Sequence, residues 1–161
     1  MQLWESRFKS QALLDERALV SCIAYVDLNP IRAKMASSPE ASDHTGIKTR
    51  IDALKNNRQA ARSIEKFLGS NPEKSGLLFV LRDYLELVDW TGRIIRHDKR
   101  DAIASSLPPM LQRLLFDHDA WVTLTTQFER QFGQWVGSEH ILRQIYSDRH
   151  YQRIPSMNHL L

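Results

Sequence analysis

At 161 residues, 42% of them hydrophobic and 25% charged, the chain has the composition of an ordinary globular protein: one domain, or one domain with an appendage, around a hydrophobic core. Its single cysteine, Cys22, excludes an internal disulfide and a thiolate metal cluster. No apolar run approaches the ~18 residues needed to span a bilayer, so a cytoplasmic protein without membrane contact is expected. The net charge of +3 is a mild bias towards polyanions, far weaker than a dedicated basic arm would give.

In chain order, Trp4 to Leu13 alternates loosely. Trp4, Ser6 and Phe8 fall on one side and Glu5, Arg7 and Lys9 on the other, which predicts one strand. No second strand-like run is evident. A strand without a partner exposes its N–H and C=O groups, so it is expected to fray, turn helical or pair with another copy of the chain. That argues for a homodimer or local disorder.

Leu13 to Met35 predicts a helix capped by Asp15, with Glu16 favourably placed in its first turn. Leu19, Ile23 and Val26 recur at helical spacing as the buried stripe. Tyr25 lies roughly 120° from that stripe, beside Ala18 and Cys22, at an edge of the apolar face. Pro30 lacks an N–H and clashes with the preceding turn, so the helix is expected to end near Leu28. Asn29 then caps a second short helix that starts at Pro30 and runs to about Ala36. Two readings of Tyr25 are open on these residues. It is a helix-border residue hydrogen-bonded through its hydroxyl, or a nucleophile with Arg32 as its phosphate-binding neighbour.

The stretch WESRFKSQALLDERALVSCIAYVDLNPIRA resembles the end of the catalytic domain of IS200-like tyrosine transposases, notably the REP-associated group. The pattern Tyr-x-x-x-Asn-Pro-x-Arg-Ala matches at Tyr25, Asn29, Pro30, Arg32 and Ala33, with the strand-like run before it. The resemblance implies that Tyr25 attacks a phosphodiester of single-stranded or hairpin DNA, giving a phosphotyrosine and a free 3′-OH. It implies that Asn29 and Pro30 shape the helix end that presents the tyrosine, and that Arg32 contacts a phosphate. A divalent metal, magnesium or manganese, belongs to the same chemistry and is held in the family by a His-hydrophobic-His pair. The six histidines here, His44, His97, His118, His140, His150 and His159, contain no such pair. The expectation is therefore the C-terminal part of a transposase, inactive or nearly so alone, with no metal or other cofactor in this chain. A tyrosine of ordinary pKa near 10 is a poor nucleophile without such help.

Further on, Ser37 to Gly46 is turn-rich, and Ile47 to Lys55 has helical spacing through Ile47, Ile51 and Leu54. His44, in that turn-rich stretch, is read as solvated. Residues 56–75 are poor in large apolar residues and read as a linker with a short helix. Leu77 to about Arg100 predicts a strong helix with a stripe through Leu81, Leu85, Val88, Gly92 and Ile95, widened by Leu87, Trp90 and Ile94. Gly92 on that stripe implies close approach of another helix. Arg93, Arg96, His97 and Arg100 share its C-terminal face, either as dipole partners in solvent or as a phosphate-contacting DNA-binding edge. DYLELVDWTGRIIRHDKR also resembles the C-terminal extension of longer members of the same group.

Pro108 and Pro109 open a helix through about Phe116. Asp117 or Asp119 caps one carrying Trp121, Leu124, Phe128, Phe132 and Trp135, and Ser138 begins the last with Ile141, Leu142 and Ile145 inward. The tail from Tyr151 is read as extended. The aromatics suit a core better than base stacking. The expected fold is mainly α, with six or seven helices and at most one short N-terminal strand. Residues 1–56 form the catalytic-domain remnant, 57–76 the linker and 77–161 a helical extension. The expected function is a transposase-related DNA-binding protein; the alternative is a non-catalytic helical module binding DNA or protein.

Overall fold

The structure, a computed structural model, describes residues 10–43, 45–56, 79–96, 107–148 and 160–161. Among these are seven helices and two very short strands: β1 (Ala12–Leu13), α1 (Glu16–Asp27), α2 (Asn29–Arg32), α3 (Gly46–Lys55), α4 (Leu81–Ile95), α5 (Pro109–Arg113), α6 (His118–Gln131), β2 (Trp135–Val136) and α7 (Glu139–Asp148). The fold is mainly α, with the expected number of helices. The Trp4–Lys9 part of the predicted strand, His44, the 57–76 linker and residues 151–159 of the tail lie outside the described residues.

The lone-strand expectation needs correction. β1 pairs in parallel with β2, Ala12 opposite Trp135 and Leu13 opposite Val136. Ala12 N–H donates to the Gln134 carbonyl at 2.8 Å and Leu14 N–H to Val136 at 2.8 Å. Gln11 adds side-chain bonds to the Phe132 and Gly133 carbonyls. The pairing gives the described end of the predicted strand, Ala12–Leu13, a partner within the chain. Two residues are too few to leave an alternating pattern, so the sequence does not show β2 and helical spacing places Trp135 on α6.

Asp15 joins this corner to the helices. One carboxylate oxygen accepts Ala18 N–H at 2.8 Å and so caps α1, as its sequence position predicts. The other accepts Ser138 N–H at 2.6 Å, just ahead of α7. Gly137 allows the approach: a β-carbon there would stand 3.0 Å from the Cβ of Leu14.

α1 lies chiefly against α6, and α4 packs on α5 and α6. The buried side chains include Trp121, Tyr84, Phe79 and Phe128. Each large apolar side chain removed from water contributes on the order of 1.5–3 kcal/mol. The cluster runs from Ala18 to Val136, so residues on both sides of the predicted linker share it. The buried face of α1 is not the predicted Leu19–Ile23–Val26 stripe. Ala18, Val20, Ser21, Ala24 and Asp27 are buried, while Val26 is 60% exposed. Periodicity alone does not choose between two faces of comparable spacing. The small side chains of Ala18, Ser21 and Ala24 let α6 come close, and Leu19 and Ile23 are left at the border.

α1 ends where Pro30 requires, but Leu28 occupies the N-cap position of α2 and Asn29 lies inside it. α2 stops at Arg32, short of Ala36. Lys34 takes a left-handed conformation, φ 57°, its N–H donating to the Ile31 carbonyl and Met35 N–H to Pro30 at 2.8 Å. That is a Schellman ending with lysine in the glycine-favoured position. α5 ends in the same way, with Leu115 at φ 54°. In α4, Tyr84 and Thr91 join Leu87, Val88 and Gly92 in the buried face. A β-carbon on Gly92 would stand 3.2 Å from Ile31 Cδ1 and 3.6 Å from Leu28 Cδ2. The close approach inferred from the glycine is that of the α1–α2 junction. Asp117 caps α6, and in α7 Leu142 and Tyr146 are buried.

Candidate functional site

The α1–α2 junction brings three residues of the tyrosine motif together. The Arg32 guanidinium lies 3.7 Å from the centroid of the Tyr25 ring. Its Nη1 donates to the Tyr25 carbonyl at 2.6 Å and to the Thr125 carbonyl of α6 at 2.9 Å, while Nη2 donates to Asn29 Oδ1 at 3.0 Å. The seven-residue spacing is two helical turns, which sets Arg32 back over Tyr25. The ring also packs on Phe128, 5.8 Å between centroids. Tyr25 is half-buried, and among the described residues nothing hydrogen-bonds its hydroxyl. Asn29 is exposed and Pro30 half-buried. Burial pulls the Arg32 pKa down, while Tyr25 and Glu129 pull it up.

Two residues along from Tyr25, on the opposite side of the junction, sits a cluster that sequence reasoning missed. Asp27, 4% exposed, accepts the Tyr84 hydroxyl at 2.6 Å on one oxygen and Ile47 N–H at 3.2 Å on the other. The Arg50 guanidinium approaches to 3.9 Å. Burial pushes the Asp27 carboxyl above its usual value, opposed by Tyr84, Arg50 and the Ile47 N–H. The Tyr84 hydroxyl is pushed well above its ordinary value by its own burial and by Asp27. One signal was present in the sequence. A carboxylate in the last turn of a helix faces the negative end of the dipole, so it needs a reason to be there. The reason is α3, whose positive N-terminal end it meets.

The basic face of α4 is only partly assembled. Arg93 is exposed and paired with Asp89 at 2.6 Å. Arg96 donates to the Ser37 carbonyl and ties the loop after α2 to the end of α4. His97 and Arg100 lie outside the described residues. An exposed ion pair such as Arg93–Asp89 contributes ~0.5 kcal/mol or less, so a phosphate can compete for the arginine. Cys22 is half-buried and free, and burial raises its pKa.

Among the described residues no three His, Cys, Asp or Glu side chains gather closely enough to hold a metal ion. Asp27 is sealed by its own partners, and His118 is held by its neighbour Asp119 and by the Trp90 ring. The described residues do not fit the metal that the resemblance implies. Among the described residues no helix is long and apolar enough to cross a membrane. No protein-family model matches the chain, and neither a curated protein nor a solved structure matches it significantly.

Proposed function

We propose that the chain is a transposase-related protein that binds single-stranded or hairpin DNA along the edge carrying Tyr25, and that it does not cleave DNA by itself. The observation that supports this reading is the gathering of Tyr25, Asn29 and Arg32 around one half-open tyrosine whose hydroxyl has no described partner. Arg93 on α4, Arg96 at its C-terminal end, and Arg100 further along the sequence, are the phosphate contacts this reading adds. Cleavage in the manner of the resembling family needs a His-hydrophobic-His pair, which this sequence does not contain.

The test is the binding of a single-stranded oligonucleotide and a hairpin across a salt series. Affinity should fall steadily with salt, and replacing Arg93, Arg96 and Arg100 together by alanine should weaken it and flatten its salt dependence. No covalent adduct should form with the chain alone, with or without magnesium or manganese. Absence of binding at low salt would overturn the DNA reading. An adduct lost in Tyr25→Phe would overturn the inactivity. A second reading, a helical module in which the cluster is purely architectural, draws support from the three Arg32 donors given to carbonyls and Asn29. It predicts no binding at any salt.

A further inference from the structure

We propose that Arg32 is a positioning residue for Tyr25, a fork that fixes the tyrosine ring between α2 and a break in α6, and not a phosphate contact. The idea rests on the DNA reading only in what the fixed tyrosine is for; the clamp itself stands on geometry.

Several independent contacts converge on one guanidinium. It serves the carbonyl of Tyr25 and the carbonyl of Thr125 through the same nitrogen, takes Asn29 through the other, and covers one face of the Tyr25 ring. Phe128 limits the ring from α6. The α6 carbonyl it takes lies two residues before a break in the helix, at Gln127 with φ −135° and ψ 22°. Thr125 and Thr126 turn their hydroxyls back onto the carbonyls of Trp121 and Val122, a pattern that bends helices. Arg32 therefore joins the end of α1, the start of α2 and the bend of α6 through one side chain. A planar fork does this and a lysine ammonium does not, because the ammonium is a point charge without a face to stack. Nη1 is engaged with two backbone carbonyls and Nη2 with Asn29, so a phosphate taken by these nitrogens would compete with protein oxygens already in place.

Arg32→Lys and Arg32→Ala in the full chain test this by two readouts. The first, without DNA, is the melting temperature and the aromatic NMR resonances of Tyr25, assigned with Tyr25→Leu. Arg32→Lys should lower the melting temperature by at least about 3 °C and shift the Tyr25 ring resonances, despite keeping the charge. The second is the slope of log affinity against log salt for single-stranded DNA. It should stay at the wild-type value in both variants, even where affinity drops several-fold. Unmoved ring resonances and melting in Arg32→Lys overturn the clamp. A slope reduced by about 0.7 in Arg32→Ala, the loss of one single-strand phosphate contact, overturns the positioning role. If the wild-type chain binds no DNA, the proposed function fails and the ring resonances still decide the clamp.

Discussion

The two polar clusters at the end of α1 use similar residues and differ in what closes them. Around Tyr25, an arginine, a tyrosine and an asparagine meet at a border, with the tyrosine half-buried and the asparagine exposed. Around Asp27, an arginine, a tyrosine and a carboxylate are sealed, all three below 9% exposure. The open cluster leaves the Tyr25 hydroxyl without a hydrogen bond among the described residues. The closed one turns every group inward to fasten α1 to α3 and α4. A buried carboxylate survives only with its hydrogen bonds made, and a buried tyrosine only with its hydroxyl placed. Sealing makes the Asp27 cluster a joint; the Tyr25 cluster stays partly open to solvent.

The sharpest way to break this contrast is to remove one member from each side. Asp27→Ala should cost about 3 kcal/mol or more by denaturant unfolding, because it leaves the Tyr84 hydroxyl and the Arg50 charge in the interior without the carboxylate. Tyr25→Phe, which removes a hydroxyl with no described partner, should change stability by less than about 0.5 kcal/mol. Equal losses would mean that the Tyr25 hydroxyl is as structural as the Asp27 carboxylate.

Gly92 links the two clusters, since α4 presents Tyr84 to one and supports the α1–α2 junction that builds the other. Gly92→Leu should cost about 1–3 kcal/mol by pushing Ile31 and Leu28 away. It should also disturb the Tyr25 ring resonances. Gly92→Ala should be close to neutral, as the gain of ~1 kcal/mol in helix propensity offsets the 3.2 Å contact with Ile31.

A smaller effect follows from protonation. The Asp27 pKa is raised in the fold, chiefly by burial, so the folded chain holds that proton more tightly than the unfolded chain. Its contribution to stability is fully present below the unfolded carboxyl value and is lost as pH rises through the raised folded value. The stability of the wild type minus that of Asp27→Asn should therefore decline with rising pH across that window. A difference that grows with pH would show that Tyr84 and Arg50 outweigh burial.

The smallest change concerns the turn after the tyrosine motif. Lys34→Gly should stabilise the chain by up to ~1 kcal/mol, because the left-handed conformation is strained for lysine and not for glycine. Measured by thermal unfolding, no gain would mean that the lysine stem makes a compensating contact. DNA binding, if present, should be affected little.

Local chemistry was legible in the sequence wherever one residue acts on its own backbone. Asp15 and Asp117 cap their helices from the positions their side chains suggest, Pro30 ends α1, and Gly92 marks a close approach. The helical content and the number of helices followed from periodicity. The motif spacing placed Tyr25, Asn29 and Arg32 on neighbouring turns, near enough to meet. What the sequence did not determine is which side of α1 faces the core, because small residues decide helix approach and hydrophobic spacing does not register them. It also could not pair Leu13 with Val136, or bring Asp27, Ile47, Arg50 and Tyr84 together, since those contacts span 20 to 123 positions and no local pattern encodes them. Only the packed chain decides that Arg32 spends its donors on the carbonyls of α1 and α6. Those acceptors come within reach of one guanidinium only once α6 has settled on the small-residue face of α1.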